Sequence, residues 1–185
     1  PQVNVLATDR ITTGRVVGLE AAQGGNVLFL APDSPYGSVP GSLGSLSVVR
    51  DGAMTLQVAQ LATVSQCGLF DFAIGPDGDS LYFAAPRADG SRGTVVRRMS
   101  IANISTDLET CGEQVLDEAG GNTVQLAAGL CPDGSSTCLA LERHNVRGIP
   151  CTPDYYRTDV FDLGTATRMT LQLAYPSWGA AGTLL

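Results

Sequence analysis

Apolar and polar positions alternate over short stretches of this chain, interrupted every few residues by glycine, proline or aspartate. Leu46-Ser47-Val48, Met99-Ser100-Ile101 and Phe161-Asp162-Leu163 alternate with a period of two, the spacing of a half-buried β-strand. Leu69-Phe70-Asp71-Phe72-Ala73-Ile74 and Thr123-Val124-Gln125-Leu126-Ala127 are mainly apolar runs of strand length. Nothing between them sustains the i, i+3, i+4, i+7 stripe of an amphipathic helix. Short strands divided by turn signals predict an all-β fold.

The pattern is also repeated. Gly24-Gly25-Asn26-Val27-Leu28-Phe29-Leu30-Ala31-Pro32 returns as Gly78-Asp79-Ser80-Leu81-Tyr82-Phe83-Ala84-Ala85-Pro86, then as Gly134-Ser135-Ser136-Thr137-Cys138-Leu139-Ala140-Leu141. A second landmark, Met54-Thr55-Leu56-Gln57, returns as Met169-Thr170-Leu171-Gln172. Each unit reads as four strands, A to D. Strand A is the apolar run, strand B the repeated segment and strand C the alternating triplet. Strand D is Leu56-Gln57-Val58, Val115-Leu116 or Leu171-Gln172-Leu173. Pro76-Asp77-Gly78 and Pro132-Asp133-Gly134 supply the A–B turns, with proline presetting φ and glycine accepting a positive one. Four antiparallel strands recurring near the propeller period of about 40 to 50 residues predict β-propeller blades. The expected fold class is therefore all-β, a β-propeller-like array of four-stranded antiparallel blades that is part of a larger propeller. The blade units are expected at residues 12–61, 62–118 and 119–176, with 177–185 starting a further blade or forming a closing strand. The rival is an immunoglobulin-like sandwich, which needs no internal repeat and usually sets a tryptophan against a disulfide. Trp178, the one tryptophan, lies near the chain end.

The stretch Phe72-Ala73-Ile74-Gly75-Pro76-Asp77-Gly78-Asp79-Ser80-Leu81-Tyr82-Phe83-Ala84 resembles the propeller repeats of the TolB/PD40 and YVTN groups. Those repeats join an apolar strand, a Ser-Pro-Asp-Gly turn and a strand of the Leu-Tyr-Phe type. Here Gly75 replaces the favoured serine, Cys131 does so in the third unit, and the first unit keeps only the glycines. The resemblance implies blade architecture and leaves activity open, since such propellers host binding scaffolds, lactonases and peptidase gates alike. Three blades do not close a ring, for which at least about four are used. Completion by residues outside this chain, or by another chain, is expected, because a free array would expose strand edges and flat blade sides. The ends, Pro1-Gln2-Val3 and Gly182-Thr183-Leu184-Leu185, accord with a processed product or an excerpt.

Composition narrows the chemistry. All 11 basic residues are arginine, against 18 acidic ones, for a net charge of −7 over 185 residues. An acidic chain is a poor match for a nucleic-acid backbone, whose binding depends on cation neutralisation, and Arg97-Arg98 is only one doublet. The absence of lysine removes Schiff-base chemistry and P-loop phosphate binding, and a single histidine removes polyhistidine metal sites. No apolar run reaches the roughly 18 residues needed to span a bilayer. The sequon Asn103-Ile104-Ser105 is of a kind that arises often by chance.

Cys67, Cys111, Cys131, Cys138 and Cys151 follow no metal-ligand spacing, and disulfides in an oxidising compartment are the better reading. Cys131 is expected to be bonded. Its candidate partners are Cys111, on the same face of the preceding blade, and Cys138, across its own hairpin. A secreted, periplasmic or cell-surface location follows.

Up-and-down strands place the B–C and D–A loops on one face of the array. The expected B–C loops carry Tyr36, Arg87, Arg92, His144, Arg147, Tyr155, Tyr156 and Arg157. Arginine and tyrosine give large contact area with directed hydrogen bonds, so this face is the candidate for binding a partner. The plainer reading is solvated loop charges and tyrosines that pack an insertion down. Asp77 with Asp79, and Asp117 with Glu118, are candidate acid/base pairs, although a turn aspartate mainly caps its own backbone. Calcium at Asp77-Gly78-Asp79 lacks the EF-hand spacing. His144 is the one possible imidazole base, and no Gly-x-Ser-x-Gly elbow accompanies it. These residues point to a non-enzymatic binding or assembly scaffold with no cofactor, no metal and no catalytic set. Its expected partner is a protein or the remaining blades. The alternatives are a fragment of a propeller enzyme with its catalytic residues elsewhere, and a structural subunit of a filament or surface assembly.

Overall fold

The computed structural model describes residues 18–21, 27–32, 44–50, 53–59, 71–87, 89–91, 93–103, 112–119, 123–144, 156–172, 176–178 and 184. They form three four-stranded antiparallel sheets, each a simple meander in chain order. The first holds β1 (Gly18–Ala21), β2 (Val27–Pro32), β3 (Gly44–Arg50) and β4 (Ala53–Ala59). The second holds β5 (Asp71–Ile74), β6 (Ser80–Pro86), β7 (Gly93–Ser100) and β8 (Glu113–Ala119). The third holds β9 (Thr123–Leu130), β10 (Thr137–His144), β11 (Tyr156–Asp162) and β12 (Thr167–Leu171). The first strand of the second sheet touches the first strand of each neighbour, β1 on one side and β9 on the other. Sheets that meet through their innermost strands are blades, and the fold is a β-propeller-like array.

Two turns show how the repeated sequence makes the repeated shape. Gly78 N–H donates to Gly75 O at 2.9 Å and Gly75 N–H to Ser80 O at 2.7 Å. In the next blade Gly134 donates to Cys131 O at 2.8 Å and Cys131 to Ser136 O at 2.9 Å. Gly78 (φ 73°) and Gly134 (φ 69°) occupy the left-handed region that a side chain would strain. Asp77 accepts from the backbone N–H of Asp79 at 3.0 Å and of Ser80 at 2.8 Å, and from the Ser80 hydroxyl at 2.6 Å. Its carboxylate is thereby occupied in holding the turn.

The period of two sorts the side chains between seams. Ala73, Tyr82, Ala84 and Val96 of the second sheet pack with Leu126, Leu139, Leu141 and Phe161 of the third. Leu139 and Leu141 are fully buried, and each contributes about 1.5–3 kcal/mol by leaving water. Leu81 and Phe83 alternate with Tyr82 and Ala84 and are also buried, so both faces of the second sheet are covered. A polar stitch joins the two inner strands where Asp71 Oδ2 accepts the Leu126 N–H at 2.7 Å.

The observed strand limits differ from the expected ones. β7 starts at Gly93 and stops at Ser100, and Ile101–Asn103 turn as a 3₁₀ segment. β10 and β11 pair out to His144 opposite Tyr156, so His144, Tyr156 and Arg157 belong to strand ends rather than to the loop between them. Backbone pairing extends a ladder beyond the residues whose alternation is visible.

Candidate functional site

The ladder ends bring charged residues to one rim. Pairing places Arg143 opposite Arg157 and His144 opposite Tyr156 at the B–C end of the third blade. Thr94 lies opposite Glu118 at the same end of the second blade, where Arg87 follows the last residue of β6. Of the expected partner-face residues, Arg87, His144, Tyr156 and Arg157 thus fall at this rim. Tyr36, Arg92, Arg147 and Tyr155 lie outside the described residues.

Arg87 is held within its own blade. Its Nε donates to Asp117 Oδ1 at 2.7 Å and its Nη2 lies 2.5 Å from the same oxygen. Arg157 belongs to a larger group centred on Asp159, a carboxylate with no exposed side-chain surface. Arg157 donates to it from Nη2 at 2.8 Å and from Nε at 3.1 Å, Arg168 Nη2 donates at 2.9 Å, and the Thr170 hydroxyl at 2.7 Å. Arg143 Nε stands 3.6 Å away, within ion-pair range. Glu118 of the second blade closes the group, 3.2 Å from Arg143 Nη2 and 3.3 Å from Arg168 Nη1. The Arg168 guanidinium also lies over the Phe161 ring, 5.4 Å from its centroid.

Strand alternation explains why these groups meet. Leu139, Leu141 and Arg143 share one face of β10, and Arg157, Asp159 and Phe161 share the same side of β11. The apolar seam between blades two and three therefore ends in a polar cap at the rim. Burial alone would raise the Asp159 carboxyl, but hydrogen bonds from Arg157, Thr170 and Arg168 hold it below its ordinary value. The Arg157 guanidinium is raised, first by its hydrogen bond to Asp159. Burial lowers Arg143 against the opposing pull of Asp159 and Glu118. Arginine remains charged through such shifts, so the group holds three cations and two anions.

The other candidate groups do not assemble into one site among the described residues. Asp117 and Glu118 face different arginines and share no site. Arg98 pairs with Glu113 at 2.7 Å while Arg97 donates to Gly112 O at 3.3 Å, so the arginine doublet is divided between partners. Among the described residues there is no group of three or more His, Cys, Asp or Glu side chains able to hold a metal. None of the described helices is long and apolar enough to cross a membrane. Cys131 and Cys138 are joined across the β9–β10 hairpin with Cα atoms 4.9 Å apart, and Cys111 lies outside the described residues. Trp178 does pack in the same cluster as this disulfide, but on the free face of a blade rather than between the sheets of a sandwich.

Arg143, Asp159 and Arg168 were not among the expected site residues. For Arg143 and Asp159 the signal in the sequence is a charge two residues along the strand from an apolar side chain, as in Leu139-Ala140-Leu141-Glu142-Arg143 and Asp159-Val160-Phe161.

Neither a protein-family model nor a curated protein matches the chain. Among solved structures, the chain is similar to hydrazine synthase of Kuenenia stuttgartiensis, with a TM-score of 0.52 and 14% identity. The match covers 89% of this chain and 47% of that one. A fungal alcohol oxidase of the AA5 family, in complex with copper, matches with a TM-score of 0.43 and 11% identity, over 85% of this chain and 32% of that one. The chain therefore spans half or less of the length of these structures. At such identity the first likeness concerns the fold alone.

Proposed function

We propose that the chain is a non-enzymatic, extracytoplasmic segment of a larger β-propeller that serves as a protein-binding or assembly scaffold. The observation that carries this reading is the Asp159 group, in which both carboxylates face arginines and tie two blades together. A rim built this way offers a rigid surface rather than a free base or nucleophile. Arg157 and Arg168 remain 46% and 39% exposed by side chain, which leaves arginine side-chain surface for a partner. The Cys131–Cys138 bond supports an oxidising compartment, whether secreted, periplasmic or at the cell surface. The Pro-Asp-Gly turns support repeats of the TolB/PD40 or YVTN type.

Cross-linking followed by mass spectrometry in the native extracytoplasmic fraction tests the scaffold reading. Cross-links from a protein partner are expected at the B–C rim and are expected to vanish in an Arg87→Glu/Arg157→Glu variant that retains its circular dichroism spectrum. Cross-links confined to other surfaces and unchanged in that variant would refute it. Hydrolytic turnover abolished by His144→Ala would favour the enzyme fragment instead.

A further inference from the structure

The seam between the second and third blades gives a template for what lies beyond the third. On the second blade, Ala73, Tyr82, Ala84 and Val96 form the face covered by Leu126, Leu139, Leu141 and Phe161. The matching turns at Gly78 and Gly134 carry Ala73, Tyr82 and Ala84 onto Gly129, Cys138 and Ala140. Val160 pairs with Ala140 as Val96 pairs with Ala84. On this equivalent face the covering residues are Trp178 and Leu184. The Trp178 side chain lies so close to Gly129 that a Cβ there would clash with its Cβ, Cγ and Cδ2.

Three details place Trp178 where an inner strand belongs. Leu126 comes 7 residues after the end of the outer strand β8 (119 to 126), and Trp178 comes 7 after the end of β12 (171 to 178). Trp178 forms an antiparallel bridge with Leu184, in the sense in which β9 pairs with β10. Its Nε1–H is buried and meets no acceptor among the described residues. The cover stops short, however. Met169 pairs with Val160 and so shares this face at its outer end, where it is 55% exposed. At the preceding seam the corresponding residue, Leu116, which pairs with Val96, is partly buried against the cluster that holds Leu139, Leu141 and Phe161.

We infer that Trp178 and Leu184 belong to the first two strands of a fourth blade, and that the face around Met169 receives its middle strands. This rests on the reading of the chain as part of a larger propeller. The occupant is a continuation of the same polypeptide. It presents apolar side chains at alternating positions, as Leu139, Leu141 and Phe161 do at the preceding seam.

Hydrogen peroxide footprinting tests the inference, because methionine oxidation follows exposure. Met99, 4% exposed, is the protected internal reference. In chain 1–185, Met169 is expected to oxidise far faster than Met99. In the polypeptide at the length its source produces, Met169 is expected to slow to the rate of Met99. Met169→Asp is expected to lower the melting temperature of the native-length protein and leave that of chain 1–185 unchanged. Equal oxidation of Met169 at both lengths, or a native polypeptide of only 185 residues, would overturn the inference. So would protection that arises in chain 1–185 itself and grows with concentration, which would assign the face to a second copy. Cross-links at the rim do not depend on Met169, so the scaffold reading stands or falls separately.

Discussion

Replacing Asp159 with alanine removes the one carboxylate that three arginines approach. Breaking a buried ion pair from one side costs about 3–5 kcal/mol, because the remaining charge loses both water and partner. Arg157 and Arg168 are 46% and 39% exposed by side chain and can turn into solvent. Arg143 is 6% exposed and cannot, but it keeps Glu118, at 3.2 Å. The low end of that range, about 3 kcal/mol, is therefore expected for Asp159→Ala. In a domain of this size that corresponds to a melting temperature lower by about 6–12 °C. Urea unfolding followed by circular dichroism measures the loss, and calorimetry gives the temperature. The pH dependence supplies a second check. The Asp159 carboxyl is held below its ordinary value of 3.8, so its stabilisation is complete above that value and is lost as pH falls through the lower, folded one. The gap between wild type and Asp159→Ala is expected to stay constant from neutrality to the ordinary carboxylate range and to close only below it. A paired Arg143→Met/Asp159→Leu replacement removes both charges and is expected to recover most of the lost stability. A loss under about 1 kcal/mol, the size of an exposed pair, would refute the claim that this group locks the blades.

Other consequences follow from the same geometry. Asp71→Ala leaves the buried Leu126 N–H without its 2.7 Å acceptor and is expected to cost about 1–3 kcal/mol in urea unfolding. Cys131→Ala/Cys138→Ala opens a clip of sequence separation 7, for which chain entropy gives about 2.5 kcal/mol, and non-reducing peptide mapping verifies the bond in the wild type. Asp162 accepts from the Ser136 hydroxyl at 2.7 Å and from the Gly164 N–H at 2.8 Å, contacts that, with Thr165, bring its carboxyl down to about 2. Carboxyl NMR titration is expected to find it ionised throughout the range in which ordinary aspartates protonate. Its contribution to stability is present above the ordinary value of 3.8 and is lost only as pH falls toward about 2, a window that Ser136→Ala is expected to shift upward.

What could be read from the sequence was local and periodic. The two Pro-Asp-Gly turns, the alternating strands and the spacing between copies determined three four-stranded meanders, because turn chemistry and side-chain period act within a few residues. Asp77 was legible as a turn cap for the same reason. Arg87 and Arg157 were legible as rim residues, since strand direction alone puts the B–C ends together. Cys131 was legible as bonded, yet the choice between Cys111 and Cys138 was not, because both satisfied the same constraint of face. The tertiary structure decided the rest. Asp159 and Arg143 resemble ordinary strand charges until two sheets pack and exclude water from between them. Glu118 is 25 residues from Arg143 in sequence yet 3.2 Å away in space, a pairing set by how one blade lies against the next. Trp178 gains its meaning only from Gly129, whose missing side chain leaves room for the indole. Strand period and turn residues are properties of the chain, whereas burial and ion pairing between sheets exist only once separate elements share one dry interface.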